Sequence, residues 1–468
     1  MGIYRLIHIK LKEISMKASK YNLILDTDDG KKIAFNSTSC ALAEVDENFF
    51  DVLNNPDKIN LETADTEKKQ LIESMLQGNY LVSDVLDELK LIKYKHLNGK
   101  YGNSGFGLTV ALTMACNFAC SYCYEKPKQG LMVEAVVAGI VEMVTAAAQK
   151  RKDIQITWYG GEPLLARELM LDLSSRLIAI CNENQANYSA FIVTNGYLLT
   201  DETISKLKEA KINGAQVTLD GPPEIHNSRR RLKGSSAGTF DTILKNVIKL
   251  KENNLSVSVR INIDKSNLDT VPELLDILEN HNLKEVLINL GRVTAYTEAC
   301  LSVAESCLSV EEYADHDLKF QRLFHERGFY VDCYPFYPGI KGNYCCADAQ
   351  SSFVLDPEGY MYKCWNDVGN ISEAVGNIRP GNRVANEKMM MNNIEYLFWS
   401  PFDFEQCREC NILPICMGGC PYQGKQDERP QCEKWKYNLT NILKLTYERN
   451  KKQAVTASAS EAASVAEG

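Results

Sequence analysis

The chain has 468 residues, of which 45% are hydrophobic and 24% charged. That composition excludes a mostly disordered protein and leaves apolar content for more than one core. With 52 Lys+Arg against 61 Asp+Glu, the net charge is −9, so the chain has no global attraction for nucleic acid or an anionic membrane, and neither is expected as a partner.

The first residues, MGIYRLIHIKLKEIS, carry charges throughout and lack both an apolar core and a small-residue cleavage site. Position 6 is Leu, so a myristoylation signal fails. No run of about 18 uncharged apolar residues is present. The expectation is a cytoplasmic protein, in which 16 cysteines point to metal binding or chemistry rather than disulfides.

Residues 1–105 read as an N-terminal α+β unit. Segments 21–26 and 32–36 flank the turn Asp28-Asp29-Gly30 as a hairpin, and helical patterns follow at 47–53 and 66–77. The polar stretch 96–105 reads as a linker. The unit is either a small cap on the main domain or a peptide-docking module.

From 106 to 300 the pattern alternates. Strands are expected at 107–113, 154–158, 191–194, 216–219, 256–263 and 286–290. Helices are expected at 131–149, 164–182, 201–211, 240–252 and 271–280. Six βα-type units predict an α/β fold with a parallel sheet curled into a partial (β/α)6 barrel, too few for eight-fold closure. A bridge, 301–340, contains a helix at 309–327. A Cys-rich domain spans 341–450, with a hairpin at 353–364 turning at Gly359 and a helix from 435. The Ala/Ser/Glu tail, 451–468, is expected to be disordered.

Directly after the first barrel strand stands Cys116-Asn-Phe-Ala-Cys120-Ser-Tyr-Cys123. Parallel α/β barrels place their active sites at this end of the strands. Three thiolates on so short a loop suit one iron–sulfur cluster and leave one iron of a [4Fe–4S] centre without a protein ligand. A zinc site would need a fourth ligand, and no His is near in sequence. The second strand ends in Trp158-Tyr159-Gly160-Gly161-Glu162-Pro163, whose glycines allow close backbone approach and whose carboxylate can pair with an ammonium. A Gly-Gly turn with a capping Glu is the plainer alternative.

The C-x3-C-x-aromatic-C run, with Tyr122 as its aromatic, and the GGEP run together resemble the signature of the radical S-adenosylmethionine (SAM) superfamily. The resemblance implies that Cys116, Cys120 and Cys123 hold a SAM-binding [4Fe–4S] cluster. It also implies that Tyr122, Gly160, Gly161, Glu162, Thr194, Asn195 and Thr218 line the SAM site. Members reduce bound SAM through the cluster, giving methionine and a 5′-deoxyadenosyl radical that abstracts hydrogen from a substrate. Arg260 either adds positive charge at that site or forms a buried ion pair.

Cysteines 346, 364, 407, 410, 416, 420 and 432 are left in the C-terminal third. A zinc ribbon of Cys407, Cys410, Cys416 and Cys420 would leave the other three unexplained. The whole set resembles the SPASM domain, an extension of many radical SAM enzymes. By that resemblance Cys407, Cys410, Cys416 and Cys432 hold an outer auxiliary [4Fe–4S] cluster. Cys346, Cys364 and Cys420 hold an inner one, with Cys345 or Cys333 contending for its fourth position. On an extended backbone the Cys345 and Cys346 side chains would point apart, leaving an iron open to a substrate thiolate.

SPASM enzymes mostly modify peptides. The N-terminal unit resembles the front ends of maturases acting on Cys-rich precursors, which bind a leader peptide at a sheet edge. The expected function is therefore thioether crosslinking of a ribosomally synthesised, Cys-containing precursor peptide, in the manner of sactipeptide maturases. An external flavodoxin- or ferredoxin-like donor would supply the electron, and the cofactors would be SAM and three [4Fe–4S] clusters. Alternatives are formylglycine formation as in anaerobic sulfatase maturases, C–C crosslinking or epimerisation, or a non-catalytic iron–sulfur electron carrier or peptide-binding protein. Formylglycine enzymes place an Asp after the second inner Cys, whereas here Trp365 stands there. No catalytic base is assigned. Cys40, Cys181, Cys300 and Cys307 read as ordinary thiols, His226 as structural, and residues 229–231 as a solvated charge run or a basic patch.

Overall fold

Alternating apolar stretches between residues 105 and 292 become six strands: β6 (Gly105–Ala111), β8 (Asp153–Tyr159), β9 (Asn187–Thr194), β10 (Ile212–Thr218), β12 (Ser256–Ile263) and β13 (Leu287–Arg292). All neighbouring pairs among them are parallel, and they lie side by side in chain order. Helices α4 (Glu134–Ala148), α5 (Arg167–Glu183), α6 (Asp201–Glu209), α8 (Phe240–Glu252) and α9 (Val271–Asn280) make the crossovers. Helical spacing gives α4 an apolar face, and Val136, Val137, Ile140 and Val144 are buried with Ile154, Ile192, Val217 and Val259 of the sheet. This is the expected α/β architecture of six βα units. The computed structural model describes residues 15–59, 63–102, 105–329, 336–379 and 386–466.

The predicted hairpin forms as β14 (Ser352–Leu355) and β15 (Tyr360–Tyr362), with Gly359 at φ +87° in its turn. Its placement was not legible from local pattern. β14 pairs in parallel with β6 at the barrel's edge, in the register Val354↔Thr109, and β16 (Gly376–Asn377) follows β15. The Cys-rich region therefore completes a nine-stranded sheet. This covers an edge that six strands leave open.

The N-terminal unit holds β1 (Met16–Ala18) paired with β5 (Leu81–Ser83), and an antiparallel sheet of β2 (Asn22–Asp26), β3 (Lys32–Asn36) and β4 (Ala41–Val45). Alternation along β3 points Ala34 at α1 (Glu47–Asn54) and α2 (Thr66–Gln77), where it packs with Phe49, Ile72 and Met75. Ile33 and Phe35 instead pack with Ile412, Ile415, Trp435 and Leu439 of the Cys-rich region. The unit is thus built onto the C-terminal third.

That docking overturns the reading of residues 96–105 as a linker. Most of the stretch lies in α3 (Glu88–Tyr101). Its polar residues are held from outside: His96 Nδ1 is 2.9 Å from the Gly342 carbonyl, and Lys100 Nζ donates to the Trp399 carbonyl at 2.6 Å. Gly99 meets the backbone of Gly342 so closely that an added Cβ would lie 2.7 Å from its carbonyl carbon. In a free helix Gly→Ala stabilises by about 1 kcal/mol. Here Gly99→Ala is expected to destabilise by about 1–3 kcal/mol through overpacking, read as a lowered urea midpoint.

A 3-10 segment, Glu298–Ser306, and helix α10 (Val310–Glu326), capped by Ser309 and Glu312, form the bridge. The final helix runs Trp435–Ala466, through the segment expected to be disordered. Alanine's helix propensity continues a helix already nucleated by the buried Leu439, Ile442 and Leu443. Among the described residues no helix is long and apolar enough to cross a membrane.

Candidate functional site

The first cysteine loop leaves the C-terminal end of β6. Within it β7 (Phe118–Cys120) pairs antiparallel with β11 (Arg230–Leu232), placing Arg230 opposite Cys120. The Ser121 amide donates to the Arg229 carbonyl at 3.1 Å, and the Lys233 amide to the Asn117 carbonyl at 2.8 Å. Cys116, Cys120 and Cys123 come within electrostatic reach of one another. Burial pushes the Cys116 thiol up to about 11 and Cys123 to about 12. Buried thiolates here need a cationic centre to be stable. Three thiols on a braced loop fit a polynuclear iron cluster. Among the described residues no three His, Cys, Asp or Glu side chains close around a single metal ion.

Behind the loop stands a network that sequence reading largely missed. The Tyr122 hydroxyl donates to Asp220 and accepts from Arg230 Nη1 at 2.6 Å and from Asn262 Nδ2 at 3.2 Å. Arg229 lies 5.0 Å above the Tyr122 ring and binds both oxygens of Asp264, at 2.9 and 2.8 Å. Arg229 and Arg230 are only 6% and 7% exposed. They are internal struts, not the solvated run or basic patch expected, because Asp220, Asp264 and Tyr122 provide partners that sequence proximity does not show. Tyr122, expected at the SAM site, has its hydroxyl committed to this network. His226 is buried, as a structural residue would be, and its Nδ1 accepts from the Asp220 amide at 3.3 Å.

Gly160 and Gly161 bring the end of β8 against the segment leading into Cys116. The Gly161 amide donates to the Thr113 carbonyl at 3.1 Å, and the Glu162 amide to the Ala115 carbonyl at 2.9 Å. A Cβ at either glycine would lie 2.4 Å or less from one of those two oxygens. The Glu162 carboxylate is fully buried and turned inward. It accepts from the Thr194 hydroxyl at 2.7 Å, the Asn195 amide at 2.7 Å and the Leu164 amide at 3.0 Å. Its oxygens tie strand ends together. Asn195 Nδ2 donates to Asn117 Oδ1 at 2.7 Å, linking β9 to the cysteine loop. Thr218 ends β10 opposite Arg260 in the register. Arg260 donates to Asn262 at 3.0 Å and Asn289 at 2.9 Å rather than to a carboxylate.

In the C-terminal third, Cys345, Cys364 and Cys420 pack around Ala347, Tyr396 and Tyr422, and Cys346 lies within electrostatic reach of Cys364. Cys345 and Cys346 do not point apart. A 3-10 turn, Cys346–Asp348, begins directly after Cys345, and the neighbouring Cys345 thiol lowers the pKa of Cys346. Cys333 lies outside the described residues. Cys407 falls within reach of Cys410 and Cys432, while Cys416 approaches Glu433, next to Cys432.

Between the first loop and the inner group lies a junction the sequence did not announce. The Tyr124 and Tyr159 hydroxyls are hydrogen-bonded, and the Tyr159 ring stands edge-on to Trp365 at 4.3 Å, one residue past Cys364. Glu125, 8% exposed, has one buried oxygen without a partner. Burial pushes its carboxyl up to about 8.

Residues 110–289 match the model of the Radical SAM superfamily. This stretch of the chain is similar to the domain that radical SAM enzymes share. It is 30% identical over 227 residues to the Fe-coproporphyrin III synthase of Methanosarcina barkeri, covering 47% of this chain and 52% of that protein. It is 22% identical over 438 residues to the radical SAM cyclopropyl synthase TigE of Paramaledivibacter caminithermalis, covering 86% and 89%. To the sporulation killing factor maturation protein SkfB of Bacillus subtilis it is 30% identical over 173 residues, covering 37% and 39%. The chain therefore spans about half or less of two of these relatives and most of TigE. In fold it is similar to anSMEcpe with bound AdoMet and Cp18Cys peptide, with a TM-score of 0.57 at 18% identity over 74% of this chain and 99% of that one. It is also similar to Streptococcus suis SuiB bound to precursor peptide SuiA, with a TM-score of 0.51 at 15% identity over 90% and 98%.

Proposed function

We propose that this protein forms Cys-derived thioether crosslinks in a ribosomally synthesised precursor peptide, as a cytoplasmic radical SAM enzyme of the SPASM type with three [4Fe–4S] clusters. The observation that carries the reading is the convergence of Cys345, Cys346, Cys364 and Cys420 beside the Tyr124–Tyr159–Trp365 junction, which connects them to the loop of Cys116, Cys120 and Cys123. Cys116, Cys120 and Cys123 would hold the SAM-site cluster, Cys346, Cys364 and Cys420 with neighbouring Cys345 the inner one, and Cys407, Cys410, Cys416 and Cys432 the outer one. When bound, the SAM-site cluster and SAM supply a 5′-deoxyadenosyl radical by one-electron cleavage of a C–S bond; the electron comes from an external flavodoxin- or ferredoxin-like donor.

The chain's own residues orient and enclose. Glu162, Thr194 and Asn195 fix the strand ends around the SAM side, and Tyr122, Asp220 and Arg230 brace the cysteine loop from behind. Tyr124, Tyr159 and Trp365 join the first cysteine loop to the inner group through a hydrogen bond and an edge-on ring contact. Trp365 has no proton acceptor to serve as a base, which weighs against formylglycine formation.

The N-terminal unit supports a peptide substrate. The outer edge of β4 is unpaired among the described residues. It borders a groove of about 730 Å³ lined by Ala43, Val45, Phe49, Phe50, Leu71 and Met75. An extended leader peptide can add a strand there. This groove belongs to the N-terminal unit, not to the cysteine groups.

The test is co-expression with a short Cys-containing precursor and mass spectrometry of the product. The expected result is a loss of two hydrogens per bridge with no free thiol. An unchanged mass with inverted stereochemistry would make the protein an epimerase. Conversion of Cys or Ser to an aldehyde would make it a formylglycine enzyme.

A further inference from the structure

The last two barrel strands hold an arginine with one edge free. Along β12, Val259, Ile261 and Ile263 are buried with the crossover helices, so alternation turns Arg260 and Asn262 to the other face, into the barrel. Asn262 Nδ2 donates to the Tyr122 hydroxyl at 3.2 Å, which ties this face to the loop of Cys116, Cys120 and Cys123. Arg260 Nε donates to Asn262 Oδ1 at 3.0 Å, and its Nη1 to Asn289 Oδ1 of β13 at 2.9 Å. The guanidinium lies across Gly291, where an added Cβ would overlap Nη2. Arg260 is half-buried. Among the described residues it has no carboxylate at ion-pair distance, and its partners are the two asparagine carbonyls.

The acids on neighbouring elements are held by other groups. Asp220 accepts from the Asn262 amide at 2.9 Å and from Tyr122, and faces Arg229 at 3.7 Å. Asp264 is paired with Arg229. Asp317 of α10 lies, like Arg260, within electrostatic reach of Tyr313, and accepts from Lys434 at 3.0 Å and from Asn438 at 3.1 Å. Asparagine carbonyls orient a guanidinium and leave its remaining N–H groups able to take a carboxylate.

Strand order separates this edge from the SAM side. The residues assigned to SAM by resemblance end β8, β9 and β10, whereas Arg260 stands on β12 and leans onto β13, the last strand of the sheet. At the end of β13, Arg292 lies within electrostatic reach of Tyr296 and of Cys420 in the inner group. We propose that Arg260, oriented by Asn262 and Asn289, binds an acidic side chain of the substrate peptide beside the reacting centre. This rests on the precursor-peptide reading given above.

The test is binding of two fluorescently labelled synthetic peptides to the anaerobically reconstituted, SAM-loaded full-length protein. One peptide carries Glu on both sides of its Cys, and the other carries Gln in their place. The wild type is expected to bind the Glu peptide about tenfold more tightly, the effect of one hydrogen-bonded charge pair. Arg260→Gln brings the two peptides level by weakening the Glu peptide alone, and Arg260→Lys keeps part of the preference. Gly291→Ala also loses it, because the guanidinium is displaced while its charge stays. SAM affinity, measured without peptide, holds in each variant.

Equal binding of the two peptides by the wild type overturns the proposal, as does a preference that survives Arg260→Gln. Weakened SAM binding by Arg260→Gln without peptide, with an unchanged circular dichroism spectrum, assigns the guanidinium to the carboxylate of SAM and also overturns it. If neither peptide binds while SAM does, the peptide reading itself falls, and the proposal with it.

Discussion

Asp264→Ala is expected to destabilise the protein by about 3–5 kcal/mol, the usual effect of stripping one partner from a buried ion pair. Arg229 Nη1 lies 2.9 and 2.8 Å from the two oxygens of Asp264, and both side chains are nearly inaccessible. Without Asp264 the guanidinium keeps Ser266 Oγ at 2.5 Å and the Asn262 carbonyl at 3.1 Å as neutral partners. Among the described residues the acid left at ion-pair distance is then Asp220, at 3.7 Å from Nε. The readout is thermal unfolding of the anaerobic holoenzyme, with Arg229→Met/Asp264→Leu as the companion. Because a well-packed apolar pair often matches a buried ion pair, the double variant should recover much of the loss. Equal losses in both variants would show that the site is sensitive to any change rather than to an orphaned charge.

The second large effect is on iron. Cys116→Ala with Cys120→Ala and Cys123→Ala should remove about four of about twelve irons per chain and abolish 5′-deoxyadenosine formation. The loop should survive the change. β7 is held by β11, Ser121 by the Arg229 carbonyl and Tyr122 by Asp220, and none of these contacts uses a thiol. Iron analysis together with circular dichroism checks both statements. A triple variant that retains all its iron would mean that these thiols are not ligands.

The barrel was readable because each of its elements announces itself locally. Residues 240–252 and 271–280 have a clean helical period and 256–263 an alternating one, and the observed bounds coincide with the expected ones. What was not readable depends on partners far along the chain. Residues 96–101 look like a polar linker until Gly342 and Trp399 are brought to His96 and Lys100. The arginines at 229 and 230 look solvated until Asp264, 35 residues away, and Tyr122, 108 residues away, are placed beside them.

The same contrast runs through the site. The short spacing of Cys116, Cys120 and Cys123 marked one group before any coordinates, because a short loop can wrap only a nearby centre; the inner and outer sets came from the resemblance to the SPASM domain. The structural ties of Glu162 were hidden for the opposite reason. It accepts from Thr194 and Asn195, which sequence places more than thirty residues away. The turn at Cys346–Asp348, which gathers Cys345 with Cys346, depends on Asp348 accepting from the Cys345 amide, a side-chain cap that the repeated cysteines obscured.

The measurement that tests the central claim most directly is anaerobic incubation of the reconstituted protein with SAM and dithionite, followed by quantification of the products. The account predicts 5′-deoxyadenosine and methionine in equal amounts, both absent when Cys116, Cys120 and Cys123 are replaced. Intact SAM after incubation of a fully iron-loaded wild-type protein, with and without a Cys-containing peptide, would contradict it.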